Sequence, residues 1–274
     1  MADVTLTYKG STIAEMSDTG TKTLKTAGKY CEGDIGVSYV KPSSGGTSDD
    51  LAKKVIEGEG AITELPSGIT KIRDYAFYNC YNLKLTSLPE GITSIGTGAF
   101  SNCENLALTS LPSGITEIKN STFDHCTNLS LTSLPSGVNI IRESAFNNCT
   151  NLALTYLPDG VTKIYQFTFY NCPSLALTYL PSSLNSIREY AFYNCTSLVL
   201  TYLPSSLNSI TEYAFANCTG LTTLTFKGTP NSIASNAFLG CANLTTINVP
   251  WAEGAVGFAP WGATNATINY NYTE

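Results

Sequence analysis

Residues 100–149 have the sequence FSNCENLALTSLPSGITEIKNSTFDHCTNLSLTSLPSGVNIIRESAFNNC, which holds two consecutive copies of one 23-residue pattern. In each copy a phenylalanine stands three residues before a cysteine, a leucine three residues after it, and an isoleucine fifteen residues after it. The same spacing continues in both directions and places cysteines at Cys80, Cys103, Cys126, Cys149, Cys172, Cys195, Cys218 and Cys241. So strict a period predicts a solenoid, whose turns bury their apolar side chains by stacking on one another.

Each turn contributes about five or six large apolar side chains to the predicted core, each worth roughly 1.5–3 kcal/mol when buried. A proline follows the second conserved leucine in most turns, and we expect it to end a short strand and begin a corner, because it has no N–H to donate. These prolines are Pro89, Pro112, Pro135, Pro158, Pro181 and Pro204. No helical apolar stripe separates the corners. The predicted fold class is therefore mainly β, a solenoid of about eight 23-residue turns.

Segments such as CTNLALTYLPDGVTKIYQFTFYNC, residues 149–172, resemble the BspA-like, treponemal type of leucine-rich repeat. The similarity covers roughly residues 60 to 250. It implies a curved solenoid used in adhesion and recognition, with no shared catalytic residues. One departure is visible: after Cys218 and Cys241 the pattern changes to Leu-x-x-Leu-x-Phe and Leu-x-x-Ile-x-Val. We expect a different strand register, or a bulge, in these last turns.

The rest of the chain divides around this solenoid. Residues 1–41 contain short segments of alternating character that are separated by turn sequences. They predict a small β module with strands at VTLTY, STIAEM, TKTLKT and IGVSYV. Residues 42–50 have the composition of a flexible linker between two bodies, and residues 51–64 predict a helix that caps the first turn. The solenoid takes residues 65–250, and residues 251–274 form a C-terminal β cap.

Aromatic residues and one isoleucine of the C-terminal segment supply the apolar area that such a cap needs: Trp251, Phe258, Trp261, Ile268, Tyr270 and Tyr272. An aromatic binding pocket is the alternative interpretation. Both terminal segments also resemble tail and other structural proteins of phages that infect gut Firmicutes. That resemblance implies attachment to a phage or prophage particle, with a possible homo-oligomer formed through the N-terminal module.

Composition narrows the function classes. Charged residues make up only 13% of the chain and the net charge is −6, which argues against a nucleic-acid partner because no basic cluster is present. Cysteines at equivalent sites of successive turns point in parallel, so we predict a ladder of buried, reduced thiols, with some bridging as the alternative. Cys31 is predicted to be a buried thiol. No metal or other cofactor is expected, because Cys-x-x-Cys pairs and histidine partners are absent.

The sequence shows neither a signal peptide nor a membrane-spanning segment. We expect a protein made in a bacterial cytoplasm that ends on a virion, outside the cell or on its surface, without membrane insertion.

Candidate binding residues stand where the pattern leaves the residue type open. Tyr156, Tyr179 and Tyr202 precede an inward leucine and are predicted to form an outward stripe of stacked rings, with shorter stripes formed by Tyr190 with Tyr213 and by Tyr170 with Tyr193. The alternative is that these rings only stabilise the sheet. Asparagines directly before the cysteines predict a structural ladder in which their side-chain amides hydrogen-bond to neighbouring backbone, with His125 as a substitute.

Glu189 and Glu212 have a spacing that a glycosidase could use, but spacing alone is weak evidence and no catalytic motif accompanies them. The leading hypothesis is a non-enzymatic recognition protein that binds a host-surface protein or glycan. A bacterial cell-surface adhesin and a purely structural spacer are the alternatives.

Overall fold

The computed structural model describes residue 65, residues 70–81 and residues 83–273 in full, together with the backbone of five strands that precede residue 65. Those strands are β1 (Val4–Tyr8), β2 (Ser11–Met16), β3 (Lys22–Leu24), β4 (Val37–Val40) and β5 (Lys54–Ile56). The first two coincide with predicted strands, and β3 and β4 lie within the predicted segments TKTLKT and IGVSYV. The predicted linker at residues 42–50 and Cys31 lie outside the described residues.

Two expectations about this N-terminal part are wrong. The helix predicted over residues 51–64 is contradicted at Lys54–Ile56, which form β5 and pair antiparallel with β4. The β module is also not a separate body. Its strand β3 pairs in parallel with β6 (Lys71–Ile72), which pairs with β7 (Ser94–Ile95), so one sheet with the order β5-β4-β1-β2-β3-β6-β7 runs from the module into the coil. Strand pairing, rather than a cap helix, therefore covers the first turn.

The solenoid is held by short parallel strands that stack in register, one per turn. Each ends on the inward isoleucine, and paired residues such as Ile164 and Ile187 are 23 positions apart. These strands are β6 (Lys71–Ile72), β7 (Ser94–Ile95), β8 (Glu117–Ile118), β9 (Ile140–Ile141), β10 (Lys163–Ile164), β11 (Ser186–Ile187), β13 (Ser209–Ile210) and β15 (Ser232–Ile233). The predicted fold class is confirmed, and no helix occurs in the described residues.

A second parallel sheet forms only in the last turns, where the sequence pattern changes. It contains β12 (Tyr202–Leu203), β14 (Thr223–Phe226), β16 (Thr246–Asn248) and β17 (Thr267–Asn269). In earlier turns the equivalent segment has only one or two backbone bonds to its neighbour, such as Ala107 N to Leu85 O at 3.0 Å. Lys227 replaces the recurring proline and donates its N–H to Leu203 O at 3.0 Å. The additional donor lets the ladder extend.

One continuous core runs through the coil. Phenylalanines three residues before the cysteines stack face to face from Phe77 to Phe238, with centroids 5.2–5.6 Å apart. Between Cys103 and Cys241, each cysteine N–H bonds to the phenylalanine carbonyl of its own turn, except that no such bond is recorded at Cys172. The interior therefore consists of aligned columns of identical side chains, as the period predicts.

The C-terminal segment closes the far end. Trp251 and Trp261 are buried against Phe226, and β17 pairs with β16. Ile268 and Tyr270 pack partly buried against the core. Phe258 does not join this cap: it is 76% exposed, contrary to the prediction.

Candidate functional site

The cysteine column is a structural element in this chain. Each thiol from Cys103 to Cys241 is free and donates to the carbonyl oxygen of the phenylalanine 26 residues earlier, at 2.9–3.0 Å. Burial raises the pKa of these thiols, to about 12 at Cys195 and Cys241. Protonated, hydrogen-bonded thiols are poor nucleophiles and poor metal ligands.

Cys80 departs from the predicted column of reduced thiols because it is disulfide-bonded. Among the described residues, no group of three or more His, Cys, Asp or Glu side chains is arranged to hold a metal ion.

The segment before each cysteine positions the surface side chains. Residues one and five positions before the cysteine have φ near +55° in successive turns, for example Asn171 at 54° and Tyr190 at 55°. At these left-handed residues the backbone N–H groups donate to carbonyls of the next turn, such as Phe167 N to Glu189 O at 3.1 Å. Side chains of equivalent residues therefore form straight rows at a fixed spacing.

The asparagine row forms a side-chain ladder. Asn194 Nδ2 donates to Asn171 Oδ1 at 2.6 Å, and Asn171 Nδ2 donates to Asn148 Oδ1 at 2.7 Å. These bonds join one side chain to the next, whereas bonds to backbone were predicted. Asparagine also suits this row because it tolerates the left-handed region better than most residues, a reason that the sequence pattern alone did not indicate. His125 occupies one rung, with its Nε2 3.1 Å from Asn148 Nδ2 and its Nδ1 2.8 Å from Asp124.

Five aromatic side chains form a surface group that we call the aromatic cluster: Phe167, Tyr170, Tyr190, Tyr193 and Tyr213. Tyr190 is stacked between Phe167 and Tyr213, with centroid distances of 5.2 and 4.9 Å. Tyr170 stacks on Tyr193 at 4.9 Å, and the two stacks meet at 57–73°. All five rings are half-buried. Partial desolvation, followed by Tyr213 and Glu189, raises the pKa of Tyr190.

The structure thus brings together four of the predicted tyrosines and adds Phe167, which sequence reasoning missed. Phe167 stands five residues before its cysteine, in the same row as Tyr190 and Tyr213. This shared position in the repeat would have been enough to predict it. A shallow cleft of about 270 Å³ is lined by Glu143, Tyr165, Gln166, Arg188, Glu189 and Thr211, of which Gln166 and Glu189 directly precede two cluster residues in the chain. A polar rim therefore lies beside an aromatic centre.

The predicted stripe of stacked rings at Tyr156, Tyr179 and Tyr202 is wrong in its geometry. These residues occupy successive turns, yet the described contacts include no ring contact between any two of them. Tyr156 and Tyr179 are 39% and 38% exposed. Tyr202 instead lies beneath the Lys227 ammonium, 5.6 Å from the ring centroid.

Fold and surface together define a class: a β solenoid of stacked repeats with aromatic side chains displayed in rows. Residues 62–176 and 150–253 match the family described as BspA type leucine-rich repeat region, in six copies. The chain belongs to this family. No curated protein matches the chain.

Several solved structures are similar. A leucine-rich cell surface protein from Faecalibacterium prausnitzii A2-165 is 18% identical, with 97% of this chain and 95% of that chain covered and a TM-score of 0.49. The leucine-rich repeat protein of T. pallidum is 29% identical, with 68% and 79% covered and a TM-score of 0.44. A leucine-rich repeat protein from Bacteroides ovatus is 22% identical, with 97% and 98% covered and a TM-score of 0.35. In the described part of the chain, no helix has the length and apolarity needed to span a membrane.

Proposed function

We propose that this protein is a non-enzymatic recognition protein that binds a host-surface protein or glycan through the aromatic cluster. The observation that carries the proposal is the choice of residues in two rows. Five residues before the cysteine, other turns use Gly98, Ser121 and Ser144 with the same left-handed backbone. Two residues before it, other turns use Ser101 and Asn147. The coil therefore forms without aromatic side chains in either row.

Stability explains only part of the cluster. Each stacked pair contributes about 0.5–1.5 kcal/mol beyond area burial, so the rings do strengthen the coil. Stacking, however, leaves all five rings partly in contact with water. Contiguous, partly exposed aromatic surface with a polar rim is typical of interaction sites, in which tyrosine is enriched.

The experiment replaces the cluster with residues that the chain itself uses in the same rows. The variant carries Phe167→Ser, Tyr190→Ser and Tyr213→Ser together with Tyr170→Asn and Tyr193→Asn. We expect it to retain its β circular dichroism and to lose at least about tenfold in adhesion to candidate host bacteria or epithelial mucin. Full adhesion by the folded variant contradicts the proposal.

Tyr75→Ser is the matched control, because Tyr75 stands in the row of Tyr190 but outside the cluster and is 47% exposed. It is expected to adhere like the unaltered protein. If the fivefold variant fails to fold, the pair Tyr190→Ser and Tyr193→Asn tests the same surface, since it removes one ring from each stack.

Where the protein is displayed is a separate part of the proposal. From the sequence alone we propose display on a phage or prophage particle, with the N-terminal module as the attachment point. A bacterial cell-surface adhesin is the alternative that the family supports. Antibody labelling of purified particles and of intact cells from one culture distinguishes the two, because the label follows the protein.

A further inference from the structure

A second surface feature, which we call the basic cleft, lies on the outer face of the turns that contain β6, β7 and β8. It has a volume of about 430 Å³ and is lined by Lys71, Arg73, Asp74, Ser94, Gly96 and Lys119. Its cations outnumber its single carboxylate by three to one, although the chain has a net charge of −6. The sequence has no basic run, but the fold brings together cations from separate turns.

Gly96 leaves the space that forms this cleft. It stands one residue after the inward isoleucine, in a row where every other described turn has a side chain, such as Arg73 and Lys119. A Cβ at Gly96 would lie 2.2 Å from Asp74 N and 2.3 Å from Arg73 C, so the backbone of the preceding turn leaves no room for one. Arg73 and Lys119 therefore border a gap between two turns that are about 10 Å apart at the usual strand spacing.

The cations of the basic cleft are not committed to a partner within the described part of the chain. No ion pair or side-chain hydrogen bond there involves Lys71, Arg73 or Lys119. Glu117, which shares a row with Lys71, is instead paired with Arg142. Lys71 and Arg73 are exposed and Lys119 is half-buried. All three can therefore meet an anionic ligand without giving up a described contact.

The cleft also contains groups that suit hydroxyl groups. Asp74 Oδ1 accepts the N–H of Thr97 at 2.7 Å, which holds the carboxylate in place, while its other oxygen accepts no hydrogen bond from the described residues. The Ser94 hydroxyl adds a donor and an acceptor. A polyanion without hydroxyl groups would be repelled by Asp74, whereas the hydroxyl groups of a glycan can donate to it.

We propose that the basic cleft binds an anionic polysaccharide. Its sulfate or carboxylate groups pair with Lys71, Arg73 and Lys119, and its hydroxyl groups bond to Asp74 and Ser94. Cations on separate turns favour a polymer that carries charges at intervals over a single small ion. The volume lies within the range typical of ligand sites. The site is additional to the aromatic cluster and shares no residue with it, so this proposal goes beyond the function proposed above.

The test is calorimetric titration of the purified full chain with dextran sulfate, carboxymethyl dextran and, as the neutral comparison, unmodified dextran. We expect at least one charged polymer to bind at least about tenfold more tightly than dextran, with an affinity that falls as salt is added, because exposed charges are screened. The tighter of the two identifies the anionic group. Binding of neither charged polymer, inorganic sulfate bound as tightly as the polymers, or polyglutamate or duplex DNA bound more tightly than both overturns the proposal.

A variant that uses the chain's own alternatives connects the binding to the cleft. Lys71→Ser together with Arg73→Thr introduces the residue types that stand in the same two rows at Ser209 and Thr211. We expect this pair to weaken binding of the charged polymer about tenfold or more. If the pair fails to fold, Lys119→Thr alone tests the same cleft from a different turn and is expected to weaken binding in the same direction. Unchanged binding by the folded variants overturns the assignment.

The matched control is Lys163→Ser together with Arg188→Thr. It removes the same two side-chain types from the same two rows, with the same change in net charge, but neither residue lines the basic cleft. It is expected to leave the affinity unchanged. An equal loss in both pairs shows attraction to diffuse positive charge and overturns the proposal. Because the fivefold cluster variant keeps the basic cleft, its titration separates a failure of this proposal from a failure of the proposed function.

Discussion

At the scale of single residues, the cysteines show how one side chain serves two requirements of a repeat. The space between successive turns accepts a small apolar group, and the S–H donates to a phenylalanine carbonyl of the preceding turn. That carbonyl already accepts an N–H within its own turn, as Phe100 O does from Cys103 N at 3.0 Å. An apolar side chain of similar size would fill the space but leave the second acceptor site of the carbonyl empty.

The raised thiol pKa values predict a loss of stability in alkali. Burial raises the pKa of Cys195 from 9.0 to about 12, and burial is also the largest cause at the other free thiols. Below about pH 9 the thiols are protonated in both the folded and the unfolded chain, so the stability that they give the folded chain is fully present. Above it, thiols of the unfolded chain ionise while buried ones do not, and each thiol then costs about 1.4 kcal/mol per pH unit until its folded pKa is reached.

We therefore expect the melting temperature to fall steadily from about pH 9 to about pH 11. Thermal denaturation followed by circular dichroism in reducing buffer measures it. A thiol reagent supplies the control: the native protein is expected to react slowly near neutral pH, and the denatured protein to expose at least the seven described free thiols. A melting temperature that stays constant throughout this pH range contradicts the prediction.

At the scale of the repeating element, the left-handed residue before each cysteine combines a backbone requirement with a side-chain bond. Asn171 has φ of 54° and takes part in two rungs of the ladder. Gly240 fills the same row at φ of 75°, where a Cβ would lie 2.1 Å from Asn217 Oδ1. Glycine thus meets the backbone requirement without the ladder bond.

This contrast predicts different costs for two substitutions at one site. Asn171→Gly removes the ladder bonds, at about 1 kcal/mol each, but keeps a residue that accepts positive φ. Asn171→Ala removes the same bonds and adds about 1–2 kcal/mol for an alanine in the left-handed region. Urea denaturation of both variants measures the difference. Equal stabilities, or a more stable alanine variant, show that the backbone conformation does not determine the choice of residue.

At the scale of the whole molecule, the period predicted the coil because columns of identical residues must superpose when turns are in register. The stacked column of phenylalanines from Phe77 to Phe238 could be predicted from the period alone. The helix at residues 51–64 was predicted wrongly because local propensity was overridden by pairing of Lys54–Ile56 with β4. The lack of a ring contact between Tyr179 and Tyr202 also escaped prediction, since the rows fix where side chains begin and not the rotamers that they adopt.

The C-terminal cap determines whether the last turn of the coil is stable. A solenoid turn contacts only its neighbours, so the final turn depends on the segment that covers it. Trp261 is fully buried, packs against Phe226 and Trp251, and donates its indole N–H to Gly257 O at 2.6 Å. Phe258, three residues earlier in the same loop, is mostly exposed.

We therefore predict that Trp261→Ala lowers the free energy of unfolding by about 3–5 kcal/mol, because it leaves a large cavity and an unpaired Gly257 carbonyl. Phe258→Ala is the matched control in the same loop and is expected to stay within about 0.5 kcal/mol of the unaltered protein. Denaturant unfolding of both variants measures these values, and hydrogen exchange locates the loss. The loss of protection from exchange is expected first in β16 and β17, and not in the phenylalanine column near Phe77, because each turn stabilises only its neighbours. Equal destabilisation by the two substitutions would show that the cap does not stabilise the coil through its buried tryptophan.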